Sequence, residues 1–587
     1  MDRLGVIRLL LIVALAVTGY LLLLRWQADY GGATDPLANA TSAPSVQAIV
    51  PPSATDSDSE PMASSSAAPS SSVQNDFSAN VMQPDAADDA LPPLVEVKPG
   101  PHAINEPMKT ESDQTKLFTV TTSTLSVQID PLGGDIVVVK FPLFPDTQGS
   151  PNPFTLLSTQ HPFYKAQSGI LSDSGLDLGQ KGRPIYHSDQ QTAQFQESDT
   201  LRFPLTFENE RLRVTKTYQF ERNSYVIRLD TQVTNLSDSP WRGRFFAQIH
   251  RDGSRDPSEM KGGFGLPTFN GAAYWSPEKR YNKLKFDDLE EGFQTNHTGG
   301  WIAWVQHYFL SAWIPDVATP LNVVGRKTTQ GYAISYTEAV PTTVNPGETI
   351  HFSSRLYAGP KIEKDLSEIA DGLNLAVDYG FLFMISKALL SLLKFIESYV
   401  GNWGVAIILL TLFVKALFLW PSAISYRSMA RMRKLQPHLA RLKEECGQDR
   451  QRMSQEMIKL YKKEKVNPFG GCLPVLMQMP VFIALYWALL ESVELRQAPF
   501  FGWIQDLSVM DPYFVLPLLM GVSMFVQTSL NPAPPDPTQA KVMKLMPIVF
   551  TVFFLFFPAG LVLYWLTNNV LSIIQQWIIT RRVESSA

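Results

Sequence analysis

Gly404-Val405-Ala406-Ile407-Ile408-Leu409-Leu410-Thr411-Leu412-Phe413-Val414-Lys415-Ala416-Leu417-Phe418-Leu419-Trp420 is an apolar run of membrane-spanning character with one lysine inside it. An ammonium in hydrocarbon costs from roughly 3 kcal/mol on insertion scales to more than 10 in simulations of an isolated helix. A chain retains such a group where it snorkels to the interface, is paired, or lines water. Fold and function both turn on which of these holds for Lys415.

The chain has 587 residues and a formal net charge of -5, split unevenly along its length. Residues from about 27 to 375 are mixed and polar, whereas those from about 376 onward hold several long apolar runs. That is the pattern of a membrane protein with a large water-soluble insert. Arg3 and Arg8 precede the run Leu9 to Leu24, with Arg25 and Trp26 as interface anchors, and no small-x-small site follows closely. Residues 1–27 read as an uncleaved transmembrane anchor. Residues 28–112 are rich in Ser, Ala, Pro and Asp and bury too little apolar area to fold, so they read as a disordered tether. Residues 113–358 alternate in short strands such as Phe118-Thr119-Val120-Thr121-Thr122 and Tyr225-Val226-Ile227-Arg228-Leu229, punctuated by turns such as Gly133-Gly134. They predict a large antiparallel sandwich. His250, His307 and His351 with nearby carboxylates raise a sugar-processing enzyme as one reading. Structural histidines on a solvated surface are the favoured one, because no nucleophile motif or metal spacing accompanies them. Cys446 and Cys472 fit neither a disulfide framework nor a zinc site and read as inert thiols.

Charge sets the topology. The loop at 425–466 carries Arg427, Arg431, Arg433, Lys434, Lys462 and Lys463 among twelve cations, opposed only by Glu444, Glu445, Asp449, Glu456 and Glu464. The positive-inside rule places it in the cytoplasm. Its apolar residues at spacings of three and four predict a helical hairpin with a basic exterior. That exterior either orients the topology or docks a ribosome, a targeting factor or anionic lipid. Spans at about 403–420, 472–491, 513–530, 545–558 and 560–579 then form a five-helix core within 401–580, ending in a short cytoplasmic tail at 581–587. With the anchor they make six spans, both termini inside and the sandwich outside. The linker region 359–400 must not cross, so Val377–Val400, with Lys387 and Lys394 on one stripe, reads as an amphipathic helix lying in the interface.

Depth along the spans is uneven. Lys415 lies five residues from Trp420, roughly 7–8 Å below the inner interface at about 1.5 Å per residue. Thr411, Gln478, Ser523, Gln527, Thr551, Asn568, Asn569 and Ser572 also fall from mid-span inward. The outer halves, Val481–Leu485, Val552–Phe557 and Leu561–Leu563, are greasy. Polar groups at one depth on several spans predict a groove wet from the cytoplasm and sealed on the far side. Snorkelling of Lys415, and hydroxyls and amides acting as interhelical glue, are the blander alternatives.

Lys465-Val466-Asn467-Pro468-Phe469-Gly470-Gly471-Cys472-Leu473-Pro474-Val475-Leu476-Met477-Gln478-Met479-Pro480, Ser492-Val493-Glu494-Leu495-Arg496-Gln497-Ala498-Pro499-Phe500 and Phe557-Pro558-Ala559-Gly560-Leu561-Val562-Leu563-Tyr564-Trp565 closely resemble the YidC membrane protein insertases. Gly300-Trp301-Ile302-Ala303-Trp304-Val305-Gln306-His307-Tyr308-Phe309 resembles the Gram-negative members with a large periplasmic domain. The resemblance implies a polytopic α-helical protein of the inner membrane with an all-β periplasmic supersandwich, similar to sugar-mutarotase folds but without catalysis. It implies insertion and folding of nascent membrane proteins, alone or beside the Sec translocon. The family's groove cation is usually arginine, and the matching position here is Lys415. Thr411, Gln478, Tyr564 and Trp565 also match groove or substrate-contact positions.

Together these readings predict a non-enzymatic insertase with no cofactor, metal or sequence-specific nucleic-acid partner; no glycine-rich phosphate loop is present. The groove set is Lys415, Thr411, Gln478, Gln527, Asn568, Ser572, Tyr564 and Trp565. The rivals are a secondary transporter with Lys415 as a site for an anionic solute and a purely structural assembly factor that would tolerate loss of Lys415.

Overall fold

A computed structural model describes residues 116–172, 176–177, 183–195, 198–256, 268–315, 319–447, 449–464, 466, 473–531 and 537–585. The expected anchor at 1–27 and tether at 28–112 lie outside the described residues.

From Phe118 to Pro360 the chain is built mainly of strands. Strand Leu212–Glu221 shows the local cause: Leu212, Val214, Lys216, Tyr218 and Phe220 point inward and their neighbours outward, the two-residue period of a pleated strand. The strands form an eleven-stranded and an eight-stranded sheet. Val120, Ile129 and Ile136 of the first share one apolar core with Phe203, Val214 and Ile227 of the second. Polar groups inside are compensated. Arg183 pairs with Asp135 at 2.8 Å and Asp177 at 3.2 Å, and Lys216 donates to the carbonyls of Gly133 and Ser168 at 2.7 and 2.8 Å. Gly133 has φ +79°, and a Cβ there would stand 2.3 Å from Arg183 Nε, so this turn requires glycine. The three histidines stand apart from one another: His250 bonds Thr328 at 2.9 Å, His351 faces Asp230 at 3.5 Å, and His307 sits at the domain junction.

Helices follow: α1 (Phe383–Val400), α2 (Trp403–Leu417), α3 (Leu419–Lys434), α4 (Gln436–Cys446), α5 (Arg450–Lys463), α6 (Leu473–Glu491), α7 (Val515–Ser529), α8 (Pro537–Phe554) and α9 (Ala559–Ser585). α9 is central and packs on α2, α3, α6 and α7. Among the described residues no single helix is long and apolar enough to cross a membrane alone; α2 and α3 together are, bent by 68°. The straight run expected to Trp420 therefore breaks at Phe418. Pro421 is the physical reason. It has no N–H for the carbonyl of Leu417, and its ring clashes there, whereas the first turn of a new helix accepts it. Pro480 and Pro547 lie inside continuous helices.

The helix expected from Val377 starts at Phe383; α1 buries Ser386, Leu390 and Leu393 and leaves Met384 and Phe395 exposed, as is Phe381 just before it. Lys387 and Lys394 pair with Glu363 and Glu494, which fixes the rotation of the helix. Cys446 is buried and free.

The β-domain is locked onto the bundle. Lys361 Nζ meets Glu491 Oε2 at 2.6 Å, both side chains almost fully buried. Arg496 donates to the carbonyls of Pro145 and Asp146 at 2.8 and 3.1 Å and lies over the Phe154 and Phe309 rings. Trp301 Nε1 donates to Asp371 O of the linker that leads into α1, at 3.0 Å.

Removing one partner of a buried pair leaves an uncompensated charge and costs about 3–5 kcal/mol, while replacing both by apolar groups is often neutral. Glu491→Ala is therefore expected to strip amide protection from the junction, and Lys361→Met with Glu491→Leu to restore it. Hydrogen exchange of the intact protein reads both; equal protection in the single variant would contradict the assignment.

Candidate functional site

Lys415 occupies the last turn of α2, where the helix dipole favours a cation. Asn568 and Ser572 lie one turn apart on the face of α9 that meets α2 and α3. Lys415 Nζ donates to Ser572 Oγ at 2.6 Å and to Asn568 Oδ1 at 3.4 Å. The Ser572 hydroxyl itself donates to the Asn568 backbone carbonyl at 2.7 Å. Tyr426 of α3, buried, lies beside Ser572. Among the described residues no carboxylate stands within ion-pair distance of Lys415. Its charge is held by neutral oxygens and is not cancelled.

One turn deeper on α9, Tyr564 is fully buried and accepts a hydrogen bond from Gln478 Nε2 of α6. Trp565 packs against Phe482 and Phe554, with ring centroids at 4.6 and 5.4 Å. Its Nε1 is buried and lacks a hydrogen-bond partner among the described residues. Asn569 Nδ2 reaches Ser523 Oγ of α7 at 3.1 Å. Close helix contact follows beside it. A Cβ on Gly521 would sit 2.0 Å from Thr551 Oγ1, so only glycine admits α8 there.

The structure thus joins Lys415, Asn568 and Ser572 directly, and Gln478 with Tyr564. Thr411 is 1% exposed and spends its hydroxyl on the Ile407 carbonyl at 2.7 Å within its own helix. Gln527 is half-buried one turn beyond Ser523 and stays outside this set among the described residues. Sequence reasoning missed Tyr426, which the bend at Phe418 turns back toward Ser572. It also missed Gln575 and Gln576, which donate to Leu419 O and to Asn531 Oδ1, each at 3.1 Å. A polar pair late in an apolar helix was the available signal. Of the docking cations, Arg427, Arg431, Arg433, Lys462 and Lys463 are exposed, and exposed Lys434 donates to Val583 O at 2.9 Å.

At the end of the bundle next to the β-domain the loop before α7 staples the start of α9. Val509 O and Leu507 O accept from the Ala559 and Gly560 amides at 2.7 and 2.9 Å, two donors that a helix start leaves open. Asp511 accepts from Trp503 Nε1, Tyr513 N and Leu516 N at 2.7–3.0 Å.

Residues 117–392 match the family model described as the YidC periplasmic domain, and residues 395–586 the one described as the 60Kd inner membrane protein. The membrane protein insertase YidC of Hahella chejuensis is 47% identical over 587 residues, 99% of this chain and 98% of the relative. The chain belongs to the YidC family of membrane protein insertases. The YidC of Alcanivorax borkumensis is 48% identical over 604 residues, 99% of each chain. A crystal structure of an active YidC insertase with its first transmembrane domain resolved covers 78% of this chain and 92% of its own. The TM-score there is 0.34, with 16% identity. As a YidC protein the chain is a non-enzymatic insertase of the inner membrane, its substrates are nascent membrane proteins, and its β-domain is periplasmic.

A hydrogen bond to a charged group contributes about 1.5–3 kcal/mol. Ser572→Ala is expected to lower the unfolding free energy of the solubilised protein by that amount, with Ser572→Thr close to wild type. Unchanged stability in Ser572→Ala would mean that water, not Ser572, holds the ammonium.

Proposed function

We propose that the bundle receives the short polar or acidic external segment of a nascent protein in a cytoplasm-facing groove centred on Lys415. The observation that carries this is a cation held by the neutral oxygens of Asn568 and Ser572, with no carboxylate partner among the described residues. An acidic group about 4 Å away would gain about 4 kcal/mol at an effective dielectric of about 20. That is comparable with the roughly 3 kcal/mol an insertion scale assigns to an acidic group at mid-bilayer. The pocket offsets the cost of partial transfer without trapping the segment.

The substrate's own apolar helix supplies the net driving force, about 0.8 kcal/mol per buried CH₂. Its exit runs along Leu476 and Met479 of α6 and Leu545, Ile548, Val549 and Val552 of α8, all exposed and apolar. Six spans, with both termini and the α4–α5 hairpin inside, fit the charge pattern. The exposed cations of α3 and α5 suit a ribosome, a targeting factor or anionic lipid, and the Sec translocon is the natural neighbour. α1 lies in the outer interface with Met384 and Phe395 toward lipid. A secondary transporter needs a second opening, and the loop stapled over the start of α9 weighs against one.

The test is insertion of a single-span substrate with an acidic external tail into proteoliposomes. Lys415→Arg is expected to stay within about twofold of wild type, whereas Lys415→Ala and Lys415→Glu lose about tenfold or more, or 1.4 kcal/mol per decade. Equal insertion by all four proteins would remove the cation from the mechanism.

A further inference from the structure

The turn between strands Trp301–Val305 and Phe309–Pro315 places His307 beside the Lys361–Glu491 pair, at the end of α6. Its Nε2 lies 2.8 Å from the carbonyl of Leu490. A carbonyl only accepts, so Nε2 carries the proton. The His307 backbone amide is fixed on Asp256 Oδ2 at 2.7 Å. Its Nδ1 is enclosed and has no hydrogen-bond partner among the described residues. The junction is shaped for one neutral tautomer, and the groove does not use it.

We propose that His307 is a pH-sensitive latch: neutral, it seats the periplasmic domain on the end of α6, and protonated, it opens that junction.

Charges face the ring from every side. Glu491 and Asp256 favour a cation, as does the carbonyl end of α6, and Lys361 opposes one. Tyr308 stacks on the ring at 3.8 Å, with Arg496 and Asp506 behind it. Tyr281 and Asp378 lie on the Glu491 side. Burial outweighs the favourable terms. Water is excluded, Lys361 already engages Glu491 at 2.6 Å, and a second ring proton would find no acceptor. The docked imidazole is therefore held below the ordinary histidine value of 6.5, chiefly by burial. The undocked ring takes up its proton near that value. Docking is thus fully present above it and weakens as pH falls through it, by at most about tenfold per pH unit.

The experiment is hydrogen exchange of the full-length protein in lipid nanodiscs from pH 8 to 5, with rates corrected for intrinsic chemistry. The amides of His307 and Lys361 report the junction, the second through its bond to Tyr308 O at 2.8 Å, and strand Leu212–Glu221 serves as control. Junction opening is expected to rise below pH 6.5, by up to about tenfold per unit, while the control stays protected. His307→Gln and His307→Asn should give profiles flat with pH, whether protected or open. A flat wild-type profile overturns the latch whatever the variants do, and so does the wild-type rise persisting in both variants.

Discussion

The ammonium of Lys415 has to find acceptors inside a helical bundle, and the arrangement of α2, α3 and α9 follows from that requirement. α9 supplies the Asn568 and Ser572 oxygens. α3, bent by 68° at the joint, brings Tyr426 beside the same hydroxyl. Gln575 ties α9 to the joint itself through Leu419 O. Three helices are thus pinned around one charge that remains uncancelled. A salt bridge would have pinned them as well but cancelled the charge.

The two ends of the bundle are finished differently. The inner end carries amides and hydroxyls that hydrogen-bond across helices, Asn569 to Ser523 and Gln576 to Asn531. At the outer end the bonds come from backbone and loop, through Leu507 O, Val509 O and the Asp511 carboxylate, above the buried side chains of Leu561, Val562 and Leu563. The periplasmic domain adds the Lys361–Glu491 pair and the Arg496 clasp to that end. The polar half therefore lies away from the β-domain, and the stapled half lies beside it.

Much of this was legible in the sequence. The depth count grouped Lys415 with Asn568 and Ser572, and alternation marked the strands of the β-domain. The bend at Phe418 was not legible from hydropathy, because the apolar run continues through it to Trp420; only Pro421, four residues after Leu417, signals it. Tyr426 falls within the stretch read as the loop at 425–466, and the bend brings it beside Ser572. The inward face of α1 was also missed. Its rotation is set by Glu363 and Glu494, partners far along the chain that no helical period reveals. Thr411 looked like a groove donor, yet its hydroxyl is satisfied within its own helix, as threonines in apolar helices often are.

One-sided water access to the Lys415 pocket is the most direct measure of its role. Asn568→Cys and Ser572→Cys, each in a background with Cys446→Ser and Cys472→Ser, can be probed in oriented membrane vesicles with a membrane-impermeant thiol reagent. Modification from the cytoplasmic face and protection from the periplasmic face is the predicted result. Protection from both faces, or equal modification from each, would contradict a groove that is wet inside and sealed outside.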